Sequence, residues 1–147
     1  MKLKKIFLSS MLVASMLVIP SNANASESSN VNSINLEAVD IQPFGVSIPT
    51  SIWDVTVNGQ YNFAGTSNQQ DMYTNYKFVG KDSYAVVVTN HSASKLTVKV
   101  KTFWNTYYTS TVQPGYTNYF FPSGMDKTDE IYILFQGSPQ DFSGYIY

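Results

Sequence analysis

Between residues 83 and 104 apolar and polar side chains alternate with a period of two. Tyr84, Val86 and Val88 share one parity. After a polar break at Asn90, His91, Ser92, Ala93 and Ser94, the residues Leu96, Val98 and Val100 alternate with Lys95, Thr97, Lys99 and Lys101. Successive side chains of a strand point to opposite faces, so this pattern specifies half-buried strands with their lysines toward water. It predicts two antiparallel strands joined as a hairpin by a short loop. Carried past Val100, the same parity predicts that Trp104 is buried at the end of the inward face and that Phe103 falls on the lysine face. Tyr108 is then expected to meet Trp104 edge to face at the rim.

The rest of the chain is punctuated in the same way. Trp53, Val55 and Val57 share a parity with Tyr61 and Phe63 across Asn58, Gly59 and Gln60. A two-residue Asn-Gly turn would send Tyr61 to the face opposite Val57, so either a three-residue loop with a bulge or one strand bent at Gly59 is expected. Met72, Thr74, Tyr76 and Phe78 form another alternating run, closed by Gly80. Further strands are expected over residues 107–112 and 116–121, separated by Pro114-Gly115. Two more follow, at Ile131, Ile133 and Phe135 and over residues 142–147. About eight or nine short strands with evenly spaced turns and no 3.6-residue periodicity predict an all-β fold, a single antiparallel β-sandwich or, alternatively, a small β-barrel. Any helix is expected to be a single turn in a loop.

The first residues read differently. Lys2, Lys4 and Lys5 precede an apolar run over residues 6–19 that ends in Pro20 and the small residues Ala23 and Ala25. A basic start, a short apolar run and an A-x-A site are the parts of a secretory signal peptide, expected here as residues 1–25 with cleavage after Ala25 or after Ala23. Residues 26–40, rich in Ser and Asn, are expected to be a flexible segment or propeptide, and residues 41–147 the sandwich domain. The mature chain is therefore expected to be secreted, with no membrane span.

Composition then removes whole classes of chemistry. There is no cysteine, hence no disulfide framework, thiol nucleophile or zinc-thiolate site. There is no arginine to clamp phosphates. Six lysines against ten acids after the leader give a mature charge of about −4, which argues against nucleic acid and anionic membranes. The lone His91 sits in a polar turn and reads as a solvated loop histidine, and no G-x-S-x-G elbow accompanies any serine. The acids are scattered. Their one cluster, Asp126, Asp129 and Glu130, offers oxygen ligands to Ca²⁺ but lacks EF-hand spacing. No cofactor and no catalytic residue are expected.

Aromatic residues are the surplus, with eleven Tyr, nine Phe and two Trp, and between residues 104 and 121 they occupy both parities of adjacent strands. They cannot all face one core, so some are expected to be exposed, packed at an edge or covered by loops on the outer face, and exposed ones would offer amphipathic rings suited to stacking on sugars or to a protein interface. Tyr107, Tyr108, Tyr116 and Tyr119 are the candidate binding residues.

Asp129-Glu130-Ile131-Tyr132-Ile133, then Gln136-Gly137-Ser138 and the closing Phe142-Ser143-Gly144-Tyr145-Ile146-Tyr147, resemble small secreted bacterial β-sandwich modules of the pre-peptidase C-terminal type. The resemblance covers about the last third of the chain. It implies a sandwich fold, places the family's paired acids at Asp129 and Glu130, and implies a calcium-binding or substrate-targeting role. The function expected from the sequence is a secreted, non-catalytic protein binding an extracellular polymer, such as a cell-wall or other glycan, or a protein surface. The alternatives are a structural coat or matrix protein assembling through edge strands and a membrane-active toxin or bacteriocin-like factor.

Overall fold

Two four-stranded antiparallel sheets face each other across an apolar core in the computed structural model, which describes residues 44–147. The expected leader, the 26–40 segment and residues 41–43 lie outside the described residues. The elements in order are β1 (Ser51–Asp54), α1 (Val55–Asn58), β2 (Tyr61–Ser67), β3 (Met72–Tyr73), β4 (Tyr76–Val79), β5 (Val86–Asn90), β6 (Leu96–Lys101), β7 (Thr106–Val112), β8 (Thr117–Phe120), β9 (Tyr132–Gln136) and β10 (Gln140–Ile146). One sheet has the order β2-β10-β5-β8 and the other β3-β9-β6-β7, while β1 and β4 form a separate parallel pair. The fold is the expected all-β sandwich, open at its edges and not closed into a barrel.

The strand orders correspond position by position. β2 matches β3, β10 matches β9, β5 matches β6, and β8 matches β7, so each of these sequence neighbours lies in the opposite sheet. Eight strands wound this way have the order of a jelly roll. The expected hairpin over residues 83–104 is therefore not formed: β5 pairs with β10 and β8, and β6 pairs with β9 and β7. The parity was right, since Val86, Val88, Leu96, Val98 and Val100 are all buried, but the two strands meet face to face through the core instead of side by side.

Asn90 supplies the reason the chain crosses here. It is fully buried, and its side-chain amide donates to the carbonyls of Ser94 (2.7 Å) and Val112 (3.0 Å). Its side-chain oxygen accepts from the Ser92 amide (3.0 Å) and hydroxyl (2.7 Å). Its main chain bonds Tyr116 and Gly115. One side chain thus ties buried Ser92 and the Ser94 carbonyl of the loop to the end of β7, while the Asp141 carbonyl accepts the His91 and Ser92 amides.

The core itself is the two inward faces. Phe135 of β9 and Phe142 of β10 stack at 4.1 Å across the sheets, and Phe44 meets Phe63, Phe135 and Phe142 edge-on at 5.8, 5.1 and 5.1 Å. Burying each such Val, Leu, Ile or Phe contributes roughly 1.5–3 kcal/mol, which must suffice in a chain with no disulfide. Gly144 sits among these rings on β10, where an added Cβ would collide with the Val87 carbonyl and lie 2.7 Å from the Phe63 ring.

Two local expectations are corrected. The run from Trp53 to Val57 is not one strand, because Asp54 ends β1 and caps a single helical turn, accepting from the Thr56 amide (2.8 Å) and hydroxyl (2.7 Å). Gly59, at φ 72°, closes that turn with its amide on the Val55 carbonyl, so Val55 is buried while Val57 points to water. The second correction concerns Trp104. β6 ends at Lys101, and a tight turn over residues 102–105 (Thr102 amide to Asn105 carbonyl, 2.9 Å; Asn105 amide to Thr102 hydroxyl, 3.0 Å) resets the parity. Trp104 is 87 % exposed and pairs with Phe103, itself 63 % exposed, and not with Tyr108.

Candidate functional site

The turn that displaces Trp104 forms one wall of a cleft. Among the described strands β6 and β7 are the one consecutive pair bonded to each other, and the 102–105 turn at their tip projects Phe103 and Trp104, whose rings meet edge to face at 4.7 Å and 79°. A bulge between Val100 and Lys101 in the β6–β7 register pairs Lys101 with Thr106 and Val100 with Tyr108, leaving Tyr107 as the extra residue. The bulge aims the Tyr107 hydroxyl at Asp129, to which it donates at 2.7 Å. This bond ties the β6–β7 tip to the 123–130 loop.

Between the tip and that loop lies a cleft of about 320 Å³. Phe103, Trp104 and Asn105 line it from the tip, Thr128, Asp129 and Glu130 from the loop, and Lys77, Ile48 and Tyr132 from the sheet side. Lys77 and Glu130, beside the Phe78–Ile131 bridge, pair in its lining at 2.7 Å. Asp129 also accepts the Asp126 amide at 2.9 Å, and its two donors hold its carboxyl below the ordinary carboxylate range, the Tyr107 bond contributing most. The same bond pushes the Tyr107 hydroxyl up. Tyr132 is buried, and desolvation raises its pKa. Exposed aromatic faces beside several fixed polar groups are the elements of a ligand site.

The four candidate tyrosines are not gathered there. Tyr107 is a half-buried strut. Tyr108 stacks flat on Phe120 at 5.1 Å and 3°, closing the sandwich edge between β7 and β8. Tyr116 is exposed in the 113–116 turn, at the far end of β7, about 20 Å from the cleft by strand length. Tyr119, also exposed, stands on the outer face of the first sheet, in one cross-strand row with Val87 and Tyr145. The acids considered for calcium do not converge: among the described residues no three Asp, Glu or His side chains form a group able to hold a metal ion.

His91 is exposed, as expected of a loop histidine, and its Nε2 lies 2.8 Å from the Ser143 hydroxyl. Among the described residues no carboxylate bonds His91. Sequence reasoning chose Trp104 with Tyr108 for a binding surface but expected the indole to be buried, and it missed Phe103, Lys77 and Asn105. A signal for Phe103 and for the exposure of Trp104 was present, since Thr102 and Asn105 flank them as turn-forming residues, the Thr102 hydroxyl accepting the Asn105 amide.

No protein-family profile, no curated protein and no solved structure matches the chain.

Proposed function

We propose that the protein is a secreted, non-catalytic binding module that takes an extracellular glycan at the tip of the β6–β7 hairpin. The observation that carries this reading is the pair Phe103 and Trp104, held out in solvent at 63 % and 87 % exposure over a cleft walled by amide, hydroxyl and charged groups. Exposing an indole to water forfeits roughly 1.5–3 kcal/mol of burial, a cost a fold bears where the ring has an occupant to stack on. Sugar rings present an apolar face for stacking and a hydroxyl rim for Asn105, Thr128 and the Lys77–Glu130 pair. The leader-like residues 1–25 and the resemblance to secreted targeting modules support action outside the cell.

Retention of the mature protein on insoluble glycans and whole cell walls, compared with the Trp104→Ala variant, tests the reading. Retention should fall at least tenfold in the variant at unchanged thermal stability. Equal retention of the two proteins, or none by either, refutes it.

A further inference from the structure

The lining of the cleft carries an uncompensated charge. Asp129 and Glu130 bring two carboxylates to it and Lys77 one ammonium, which is paired with Glu130. The remaining charge belongs to Asp129. Its Oδ2 accepts both the Tyr107 hydroxyl and the Asp126 amide, and among the described residues Oδ1 has no hydrogen-bond partner. Phe103 and Trp104 line the same cleft with their rings at nearly right angles. An aromatic face is the negative pole of its quadrupole and attracts cations, Trp most strongly. A carboxylate and two exposed aromatic rings lining one cleft favour a positive group and repel an anionic polymer.

We infer that the cleft selects glycans of amino sugars with free, protonated amines, the sugar ring stacking on Trp104 and the ammonium meeting Asp129. The inference rests on the glycan-binding reading above and narrows it to one substrate class. N-acetylation of the same sugar keeps the ring and its hydroxyls but removes the charge, so it abolishes both the ion pair and the cation–π contact. Lys77 does not compete for Asp129, because Glu130 holds it.

The test compares three soluble oligomers of equal length: glucosamine, N-acetylglucosamine and a neutral β-linked glucose. Indole fluorescence of the purified protein is followed in each titration. The glucosamine oligomer should bind about tenfold tighter than either other, the scale of a cation–π contact combined with a partly exposed ion pair, and the advantage should shrink in high salt. Asp129→Asn keeps an oxygen for the Tyr107 hydroxyl, and it should erase the preference, the ratio of affinities for the amine and its N-acetylated form falling to about one. Equal affinity for the amine and its acetylated form overturns the inference without any variant and leaves glycan binding standing. A preference that survives Asp129→Asn in a folded variant overturns the assignment to Asp129. Absence of binding to all three oligomers overturns the glycan reading together with this one.

Discussion

Replacing Asn90 by Ala should be among the most costly polar substitutions in the protein. Asn90 is fully buried and makes four side-chain hydrogen bonds, two as donor and two as acceptor, all to the 92–94 loop and Val112. Each is worth roughly 1 kcal/mol net, and a buried partner left without a replacement costs about 1–3 kcal/mol. The Ser92 hydroxyl retains its bond to the Ser94 carbonyl, so the loss is partly offset there. The Ser92 amide likewise retains a bond to the Asp141 carbonyl (3.2 Å). The sum is about 4 kcal/mol, a large share of the roughly 5–15 kcal/mol available to a domain, and it corresponds to a fall of about 15–30 °C in Tm. Urea unfolding followed by tyrosine and indole fluorescence measures it. Asn90→Asp sharpens the test, because it keeps the shape and both acceptor bonds but turns a carboxyl oxygen toward two carbonyls. Burial beside those carbonyls raises the folded-state pKa of the new Asp above its unfolded value. Its cost is therefore smaller at acid pH and grows as pH rises through the unfolded and then the folded pKa. A loss under 1 kcal/mol for Asn90→Ala, or a loss for Asn90→Asp that is equal at pH 4 and pH 7, would refute the claim that this side chain holds the crossing.

Phe103→Ala and Trp104→Ala should each change Tm by no more than a degree or two, since both rings are largely solvent-exposed, and differential scanning calorimetry reads this directly. Gly144→Ala should cost about 3 kcal/mol or more, because the Cβ meets the Val87 carbonyl and the Phe63 ring and β10 is held on both sides; chemical denaturation of the variant checks it. Phe142→Ala should cost about 3–5 kcal/mol through loss of the Phe135 stack and the Phe44 contact, measured the same way. The Tyr107–Asp129 bond should give stability a two-sided pH dependence. Asp129 has a lowered pKa, so its contribution is present above the unfolded value near 3.8 and is lost as pH falls through the folded one. Tyr107 has a raised pKa, so its contribution is present below 10.0 and is lost above it. Tyr107→Phe should flatten both limbs in urea midpoints recorded across pH, and unchanged limbs would remove the strut from the argument.

The alternation of apolar and polar residues was sufficient to say which side chains enter the core, because the period of two is a property of the extended backbone itself. Leu96, Val98 and Val100 are buried and Thr97, Lys99 and Lys101 lie on the other face with no help from neighbouring strands. Composition likewise settled that this core holds without disulfides. Strand pairing was not legible, because the residues that would make a hairpin of β5 and β6 equally permit an arch between sheets. The difference lies in where Asn90 and the connecting loop find partners, and those partners, Val112 and Tyr116 for Asn90 and the Asp141 carbonyl for the loop, come from elsewhere in the chain. The candidate site failed to show for a related reason. Parity carries information only while the chain stays extended, and one turn at residues 102–105 ends it, moving an indole from the expected core to open water. The cleft beneath that indole exists because the β6–β7 bulge, the 123–130 loop and β4 meet in space. Their residues are separated in sequence by up to 53 positions, as in the Lys77–Glu130 pair, and no local pattern encodes that distance.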